Sequence, residues 1–339
     1  MSHHTSLRVG GPADLYAIPE DADDLQELLN QLAERDIPWL AIGKGNNLLV
    51  RDKGIRGTVI SLERFNRISE AGDRRVRAEA GAENLMVVRF AQEKGLGGIG
   101  FISGIPGTVG GAVFGAIGAY GQTLAGVLEW VDILNLFTSE RTRIQVSEIT
   151  FSYRYSTFQS IVDVVILEAG FRLHLNKPSH HAHPDIAQLQ PFTSTLTEVA
   201  VGVRQIRERK GAMLWLPHRG NNRSAGSFFK NPTVDQSRFD RLSAILDVND
   251  TRRWWWTAQN AYRISAARLI ELAGFERGQR VGDAAISPEH TLSLVNMGNA
   301  TAANIIGLAR RIQDGVHTVS NIVLQPEVRL IGFKRPPLG

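Results

Sequence analysis

Gly104, Gly107, Gly110 and Gly111 crowd around Pro106 and Thr108 in the stretch GIPGTVGGA, and Gly118 and Gly121 follow in GAYG. Glycines lack a Cβ, so backbone N–H groups can approach an anion closely, and a proline fixes the turn that aims them. The chemistry this spacing suits is the cradling of a diphosphate. A second glycine turn, GKGNN at residues 43–47, lies upstream. The eight glycines between residues 100 and 121 look too many for a helix and too regular for a floppy linker. Tight loop packing accounts for such glycines equally well, and composition alone leaves both readings open.

Other constellations carry less. Gly95, Gly97 and Gly100 satisfy G-x-G-x-x-G, yet a helical pattern precedes them and FISGIPG follows, whereas the dinucleotide fingerprint needs a strand before it and a helix after it. No G-x-x-x-x-G-K-[ST] occurs. His180, His181 and His183 stand in a loop-like segment without carboxylates or cysteines at ligand spacing, so they read as solvated side chains and no metal is expected. TRRWWWT, Thr251 to Thr257, offers a base-stacking platform or a packed tryptophan cluster. Packing is the better reading, because the arginines are scattered and form no basic stripe.

The chain has no cysteine, which removes disulfides, thiolate nucleophiles and cysteine metal sites, so redox chemistry would need a bound cofactor. Its net charge of +4 suits anionic small ligands at least as well as nucleic acid. With 339 residues, 43% of them hydrophobic, two or three cores are expected. No apolar run approaches the roughly 20 residues that span a bilayer, and MSHHTSLRVGG lacks a basic-then-apolar signal. A cytoplasmic monomer is expected, without nucleic-acid or membrane partner.

Elements must position these turns. Leu25, Leu28, Leu29 and Leu32 recur at helical spacing behind acidic residues suited to a helix N-terminus. IPWLAI and GTVISL read as strands on either side of the first glycine turn. RRVRAEAG then reads as a strand, AENLMVVRFAQEKG as a helix ending on a glycine, and LEWVDILNL and VDVVILEAGFRLHL as strands. NKPSHHAHPDIAQLQPF reads as a surface loop. A third region opens with the arginine-bearing helix TEVAVGVRQIRERK and continues with helices in SAARLIELAG and TAANIIGLARRIQDGV. Ile305, Ala309, Ile312 and Val316 share one face of the last. IVLQPEVRLIGF reads as a closing strand that returns to an early sheet.

With these segments in view, the chain resembles the UDP-N-acetylenolpyruvoylglucosamine reductase family. The matching stretches run in family order from SLRVGGPADLY through GKGNNLLV, GIPGTVGGA, GAYG, FSYRYSTF, RSAGSFFKNP, SAARLIELAGF and TAANIIGLARRI to LQPEVRLIGF, covering nearly the whole chain. The resemblance implies an α+β protein with the FAD-binding fold of the vanillyl-alcohol oxidase type, two α/β subdomains, and a C-terminal α+β substrate domain. The expected boundaries are residues 1–67, completed by 321–339, for the first FAD-binding subdomain, 68–200 for the second, and 201–320 for the substrate domain. FAD would lie between the first two. Its diphosphate would be held by Gly43, Lys44, Gly45, Asn46, Asn47 and Leu48, and by Ile105, Pro106, Gly107, Thr108, Gly110, Gly111 and Ala112. Gly118, Ala119, Tyr120 and Gly121 would run along the cofactor.

The implied activity is the NADPH-dependent reduction of UDP-N-acetylglucosamine enolpyruvate to UDP-N-acetylmuramate, a peptidoglycan precursor. Hydride would pass from flavin N5 to the enolpyruvyl ether, leaving enolate-like charge beside a carboxylate that the protein must stabilise. Arg154, in SYRYS, matches the family's active-site arginine and would offer its planar fork of donors to that charge. Ser227, in SAGSFFKNP, matches the proton donor, with Lys230 as a helper. Glu327, in QPEVR, matches the glutamate that sits with the arginine. In a partly dry site it would keep its proton and donate a hydrogen bond. Tyr153, Lys210, Asn231 and His290 fall at positions that resemble substrate contacts.

The chain also departs from the family pattern. Asn46 stands where a serine is usual and Ala116 where an asparagine is common, and either change would weaken FAD binding. One branch carries a tyrosine on a loop that closes over the substrate diphosphate, but here no tyrosine occurs between Tyr155 and Tyr262. The branch without that loop is therefore inferred, although AGSFFKNP resembles the other. A flavin oxidase of the same fold is the rival reading, and it would need no serine, arginine and glutamate set.

Overall fold

Leu25, Leu29 and Leu32 are buried along the helix Ala22–Glu34, whose N-cap Asp21 accepts the N–H groups of Asp23 and Asp24. Such a cap contributes about 1 kcal/mol. The computed structural model describes residues 1–136, 138, 140–175, 196–209, 223–246, 254–258 and 260–338. The chain divides into two compact units, the first from residues 13–45 and 56–213, the second from residues 1–12, 46–55 and 214–339.

In the first unit, Trp39–Ile42 pairs in parallel with Ile55–Ser61, and Ala13–Ala17 adds a third strand. A five-stranded antiparallel sheet runs in the order Glu140–Gln145, Leu128–Asn135, Val164–Arg172, Arg75–Glu79, Ile68–Glu70. Register sets Val131 beside Ala169 and Ala169 beside Ala78, and all three are fully buried. Val87, Val88 and Ala91 of the helix Asn84–Glu93 join the same core. Gly95, at φ +66°, follows the end of that helix, where a left-handed residue suits glycine.

Gly170 packs under the Trp130 indole. An added Cβ would lie 2.1 Å from the ring, whose exit is closed by the Arg143 guanidinium 3.6 Å from its centroid. Gly170→Ala is therefore expected to destabilise the protein by about 1–3 kcal/mol, the range for overpacking. Thermal unfolding checks this, and an unchanged Tm would show that Trp130 moves freely.

In the second unit, Ser224–Ser227, Ser293–Asn296, Ala284–Ile286 and Arg280–Val281 form an antiparallel sheet in that order. The helix Ala302–Ser320 contributes Ile305, Ala309, Ile312 and Val316 to the core, all of them fully buried. Its first N–H groups, on Ala302 and Ala303, donate to the Asp52 carboxylate at 2.6 and 3.0 Å. Leu48–Val50 pairs in parallel with Arg329–Ile331, and Leu7, Val9 and Leu49 lie in the same core. Trp254 is buried and stacks on Phe239, which also stacks on Tyr262, so the tryptophan run is a packed aromatic cluster.

Three features differ from the sequence reading. The glycine run does contain a helix, Val109–Phe114, because Thr108 caps it and Val109, Ala112 and Val113 are buried. This tertiary burial offsets the roughly 1 kcal/mol that each helical glycine costs. The closing stretch is a strand only over Arg329–Ile331. Upstream, Pro326, which has no N–H to donate, makes an isolated bridge with Phe229. The three-domain division becomes two units, since residues 1–12 and 46–55 group with the C-terminal region through the 48–50 and 329–331 pairing. The helix Leu196–Arg209 groups with the first unit, where Val203 and Ile206 pack with Tyr120.

Candidate active site

In the first unit the two glycine turns meet. A Cβ on Gly43 would lie 2.3 Å from Thr108 Oγ1, so only glycine fits at that approach. Lys44 pairs with Glu83, and Glu83 bridges to Thr108. The second turn is held from below by Asn84, whose N–H donates to the Gly107 carbonyl at 3.1 Å and whose Nδ2 donates to the Ile105 carbonyl at 3.3 Å. Gly107, at φ +132°, needs glycine's conformational freedom, and Gly110 lies on Ala80, where a Cβ would come within 2.9 Å of another. Ile105, Pro106 and Gly107 stay half-buried and Gly111 is exposed, while Ala112 points into the core.

Gly118–Ala119 and Gln122–Thr123 form a two-residue hairpin whose turn residues, Tyr120 and Gly121, have φ +54° and +80°. Two positive φ angles are the hallmark of the tight hairpin turn that favours asparagine and glycine. A tyrosine there costs roughly 1 kcal/mol. Arg154 is likewise left-handed at φ +58°, and its Nη1 donates to the Gly118 carbonyl at 3.3 Å. The Tyr153 ring lies 5.7 Å from the Arg154 guanidinium. Gln159 Nε2 donates to the Arg154 carbonyl at 3.1 Å and holds this turn. Strained backbone at clustered polar residues points to function, because it persists only where the surroundings over-determine it. Ala116 is also left-handed at φ +46°, a conformation that asparagine tolerates better than alanine.

In the second unit Ser227 ends its strand opposite Ser293, after a bulge in which Gly226 has φ +77° and donates its N–H to Ser224 Oγ. Phe228 and Phe229, both fully buried, anchor the segment that follows. The Glu327 N–H donates to the Phe228 carbonyl at 2.8 Å, the Lys230 N–H to the Gln325 carbonyl at 2.8 Å, and Asn47 Nδ2 to the Glu327 carbonyl at 3.0 Å. Ser227, Lys230, Glu327 and Asn47 therefore lie on adjoining backbone. The Asn231 Oδ1 accepts the Ala266 N–H at 2.9 Å, and His290 Nδ1 accepts the Leu292 N–H at 3.1 Å, which places the proton of a neutral ring on Nε2. Leu48 is buried in its strand pair, and Gly45 turns the chain at φ +61° just before Asn46. Lys210, His180, His181 and His183 lie outside the described residues.

Sequence reasoning missed Asn84 and Arg207. Arg207 Nε donates to the Gly104 carbonyl at 2.8 Å, and its side chain bonds Tyr120. The spacing Val203, Ile206, Arg207 places it on the buried face of its helix, a signal that was legible. Asn84 had no local signal, because its carbonyl partners lie more than twenty residues away.

A cleft of about 710 Å³ elsewhere on the first unit holds none of these residues. It is lined by Arg67, Glu79, Asp132, Arg143 and Glu168 among others, and two ion pairs, Arg67 with Glu79 and Arg143 with Asp132, neutralise much of it. Burial raises the Glu168 pKa, opposed by Arg77 and reinforced by Asp132 and Glu79. The folded protein then holds a proton that the unfolded chain releases. That contribution is full below the ordinary carboxylate pKa and is lost as pH rises through the raised value. Glu168→Gln is expected to stabilise the protein more at about pH 7 than at about pH 4, measured by urea unfolding. Equal gains would show that burial of charge is not the cause.

Comparisons with known proteins converge on this arrangement. The family model of the FAD binding domain matches residues 13–138, and that of the UDP-N-acetylenolpyruvoylglucosamine reductase C-terminal domain matches residues 218–331. A UDP-N-acetylenolpyruvoylglucosamine reductase from Pelobacter propionicus is 46% identical over 98% of this chain and 94% of its own length. One from Geotalea uraniireducens is 38% identical over 98% and 92%. The crystal structure of UDP-N-acetylenolpyruvylglucosamine reductase from Thermus caldophilus superposes with a TM-score of 0.67 at 26% identity, covering 97% of this chain and 96% of that one. The first unit fits a flavin dinucleotide on its own terms: the two glycine turns pack together, and the buried Asn84 Oδ1 and Ser103 Oγ have no hydrogen-bond partner among the described residues. With mixed α and β content, both family models and relatives matched along nearly their whole length, the chain belongs to the UDP-N-acetylenolpyruvoylglucosamine reductase family.

Proposed function

We propose that this enzyme is a flavin-dependent reductase that converts UDP-N-acetylglucosamine enolpyruvate to UDP-N-acetylmuramate, drawing its electrons from NADPH. The observation that carries the reading is the packing of Gly43 on Thr108, which joins the two glycine turns into one backbone cradle within the span matched as an FAD binding domain. FAD, when bound and reduced, would supply the hydride equivalent, which no amino-acid side chain delivers. Gly43, Gly45, Gly107 and Gly110 let the backbone approach the cofactor diphosphate, and Lys44 adds a cation at its rim.

The chain's own residues do the rest. Arg154 binds the substrate carboxylate through its planar fork and stabilises the charge that builds beside it. The Ser227 hydroxyl gives its proton to the carbon bearing the ether oxygen, with Lys230, three residues further along the chain, as the cation that stabilises the resulting alkoxide. Glu327 donates a hydrogen bond to the same carboxylate, while Tyr153, Lys210, Asn231 and His290 hold the sugar nucleotide. Among the described residues no helix is long and apolar enough to cross a membrane. The reductase reading goes with a cytoplasmic monomer acting on a small molecule.

The test is spectroscopic. The FAD-loaded protein is treated with NADPH without oxygen and then with the enolpyruvyl sugar nucleotide. Bleaching followed by recovery on adding the sugar nucleotide is expected. Recovery with oxygen alone would make the protein an oxidase and overturn the substrate assignment.

A further inference from the structure

Arg207 is held on the buried face of the helix Leu196–Arg209, beside Val203 and Ile206, which are 1% and 5% exposed and pack with Tyr120. Its Nε donates to the Gly104 carbonyl at 2.8 Å, its side chain bonds Tyr120, and Arg154 lies close enough to repel it. Arg154 in turn reaches the Gly118 carbonyl at 3.3 Å, at the start of the hairpin that carries Tyr120. Two guanidinium groups thus flank one short hairpin. Among the described residues no carboxylate pairs with Arg207, which is half-buried, and desolvation pulls its guanidinium below the usual arginine range.

This arrangement is unfavourable taken by itself. Like charges repel, a half-buried cation loses part of its hydration, and both Tyr120 and Arg154 hold left-handed backbone that an ordinary side chain avoids. All three costs fall at one place, next to the Ile105–Thr108 turn. An anion seated there removes two of them, by neutralising the pair and replacing the lost hydration. A guanidinium fork matches two oxygens of a carboxylate or of a phosphate alike, and the reductase reading already gives Arg154, the other cation of the pair, to a carboxylate.

We propose that Arg207 is a second substrate-binding cation, forming with Arg154 the corner that receives the carboxylate of the enolpyruvyl sugar nucleotide, with the Tyr120 hydroxyl holding its guanidinium in place. The proposal rests on the reductase reading. It extends that reading by dividing the work: Arg207 binds the carboxylate before reaction, and Arg154 is left to answer the charge that develops during it.

The experiment uses the FAD-loaded, oxidised enzyme, in which substrate binds without turnover and perturbs the flavin spectrum. Dissociation constants are measured for the enolpyruvyl substrate and for UDP-N-acetylglucosamine, which lacks the carboxylate, with wild type, Arg207→Met and Arg207→Lys. Removing a half-buried cation from its anion is expected to weaken the enolpyruvyl ligand by about 100-fold in Arg207→Met and about tenfold in Arg207→Lys. UDP-N-acetylglucosamine should lose less than about threefold, giving Arg207 a carboxylate-specific signature. In the ligand-free apoprotein, relief of the like-charge clash and loss of the Nε bond to the Gly104 carbonyl oppose each other in Arg207→Met, so its Tm should stay close to that of wild type. Equal weakening of both ligands, or a large drop in apoprotein Tm, would make Arg207 structural and overturn the proposal. A fall in FAD affinity with the ratio of the two sugar nucleotides unchanged would assign Arg207 to the cofactor diphosphate instead, and overturns it as well. If Arg207→Met does not fold, Arg207→Lys carries the same ratio test. Wild type that binds neither sugar nucleotide overturns the reductase reading itself, an outcome distinct from a wild type that binds both with unaltered variants.

Discussion

Ser227→Ala is expected to leave reduction of the flavin by NADPH unchanged while slowing its reoxidation by the enolpyruvyl sugar nucleotide by about 10³-fold, within the 10²–10⁴ range for a positioned acid. The separation follows from where the residue sits. The bulge that presents Ser227 is held by Gly226 at φ +77° and by its N–H donated to Ser224 Oγ, and the next two residues, Phe228 and Phe229, are anchored in the core. None of these contacts uses the Ser227 hydroxyl, so its removal should leave the backbone in place. The Phe228 carbonyl keeps the Glu327 N–H, and Asn47 keeps the Glu327 carbonyl. Stopped-flow absorbance of the two half-reactions reads the result directly. Equal slowing of both halves would show that Ser227 holds the fold and moves no proton.

Arg154→Gly should lower the substrate half-reaction by about 10²–10³-fold, as expected when a donor to developing negative charge is lost. The same variant should be no less stable than wild type. Arg154 sits at φ +58°, where glycine is at ease and arginine is not, so the substitution relieves backbone strain while removing the fork. Loss of the Nη1 bond to the Gly118 carbonyl opposes that relief by roughly 1 kcal/mol, which leaves the balance near zero. Arg154→Lys keeps a positive charge but also keeps the strain and lacks the second arm, so it should rescue only part of the rate. Thermal unfolding and single-turnover reoxidation, measured on both variants, separate the two effects. A large drop in Tm for Arg154→Gly would mean that the arginine's role is to pin the hairpin.

Much of this protein was legible in local pattern. The helices Ala22–Glu34 and Ala302–Ser320 were set by apolar residues three and four apart and by side chains that cap their first turns, interactions that span only a few residues. The glycine turns announced a place where backbone must come close, because absence of a side chain is a property of the residue itself. The roles proposed for Ser227, Arg154 and Glu327 rest on the family resemblance, since nothing in their immediate neighbours distinguishes them from a turn serine, a surface arginine and a strand-end carboxylate.

Only the tertiary structure decided the remainder. Pairing of Leu48–Val50 with Arg329–Ile331 joins segments some 280 residues apart and moves the domain boundary, and no local rule reports a partner at that distance. The glycines from 109 to 114 became helical because buried valines outweigh their poor propensity. Ala116, Tyr120 and Arg154 adopt a backbone that their own side chains disfavour, so local preference pointed away from the conformation the surrounding contacts impose. Arg207 was visible as a helical arginine, but its meaning lies in a second cation more than fifty residues earlier. Sequence determined what each segment could be by itself; the fold determined which costly groups were brought together, because burial and charge act through space and not along the chain.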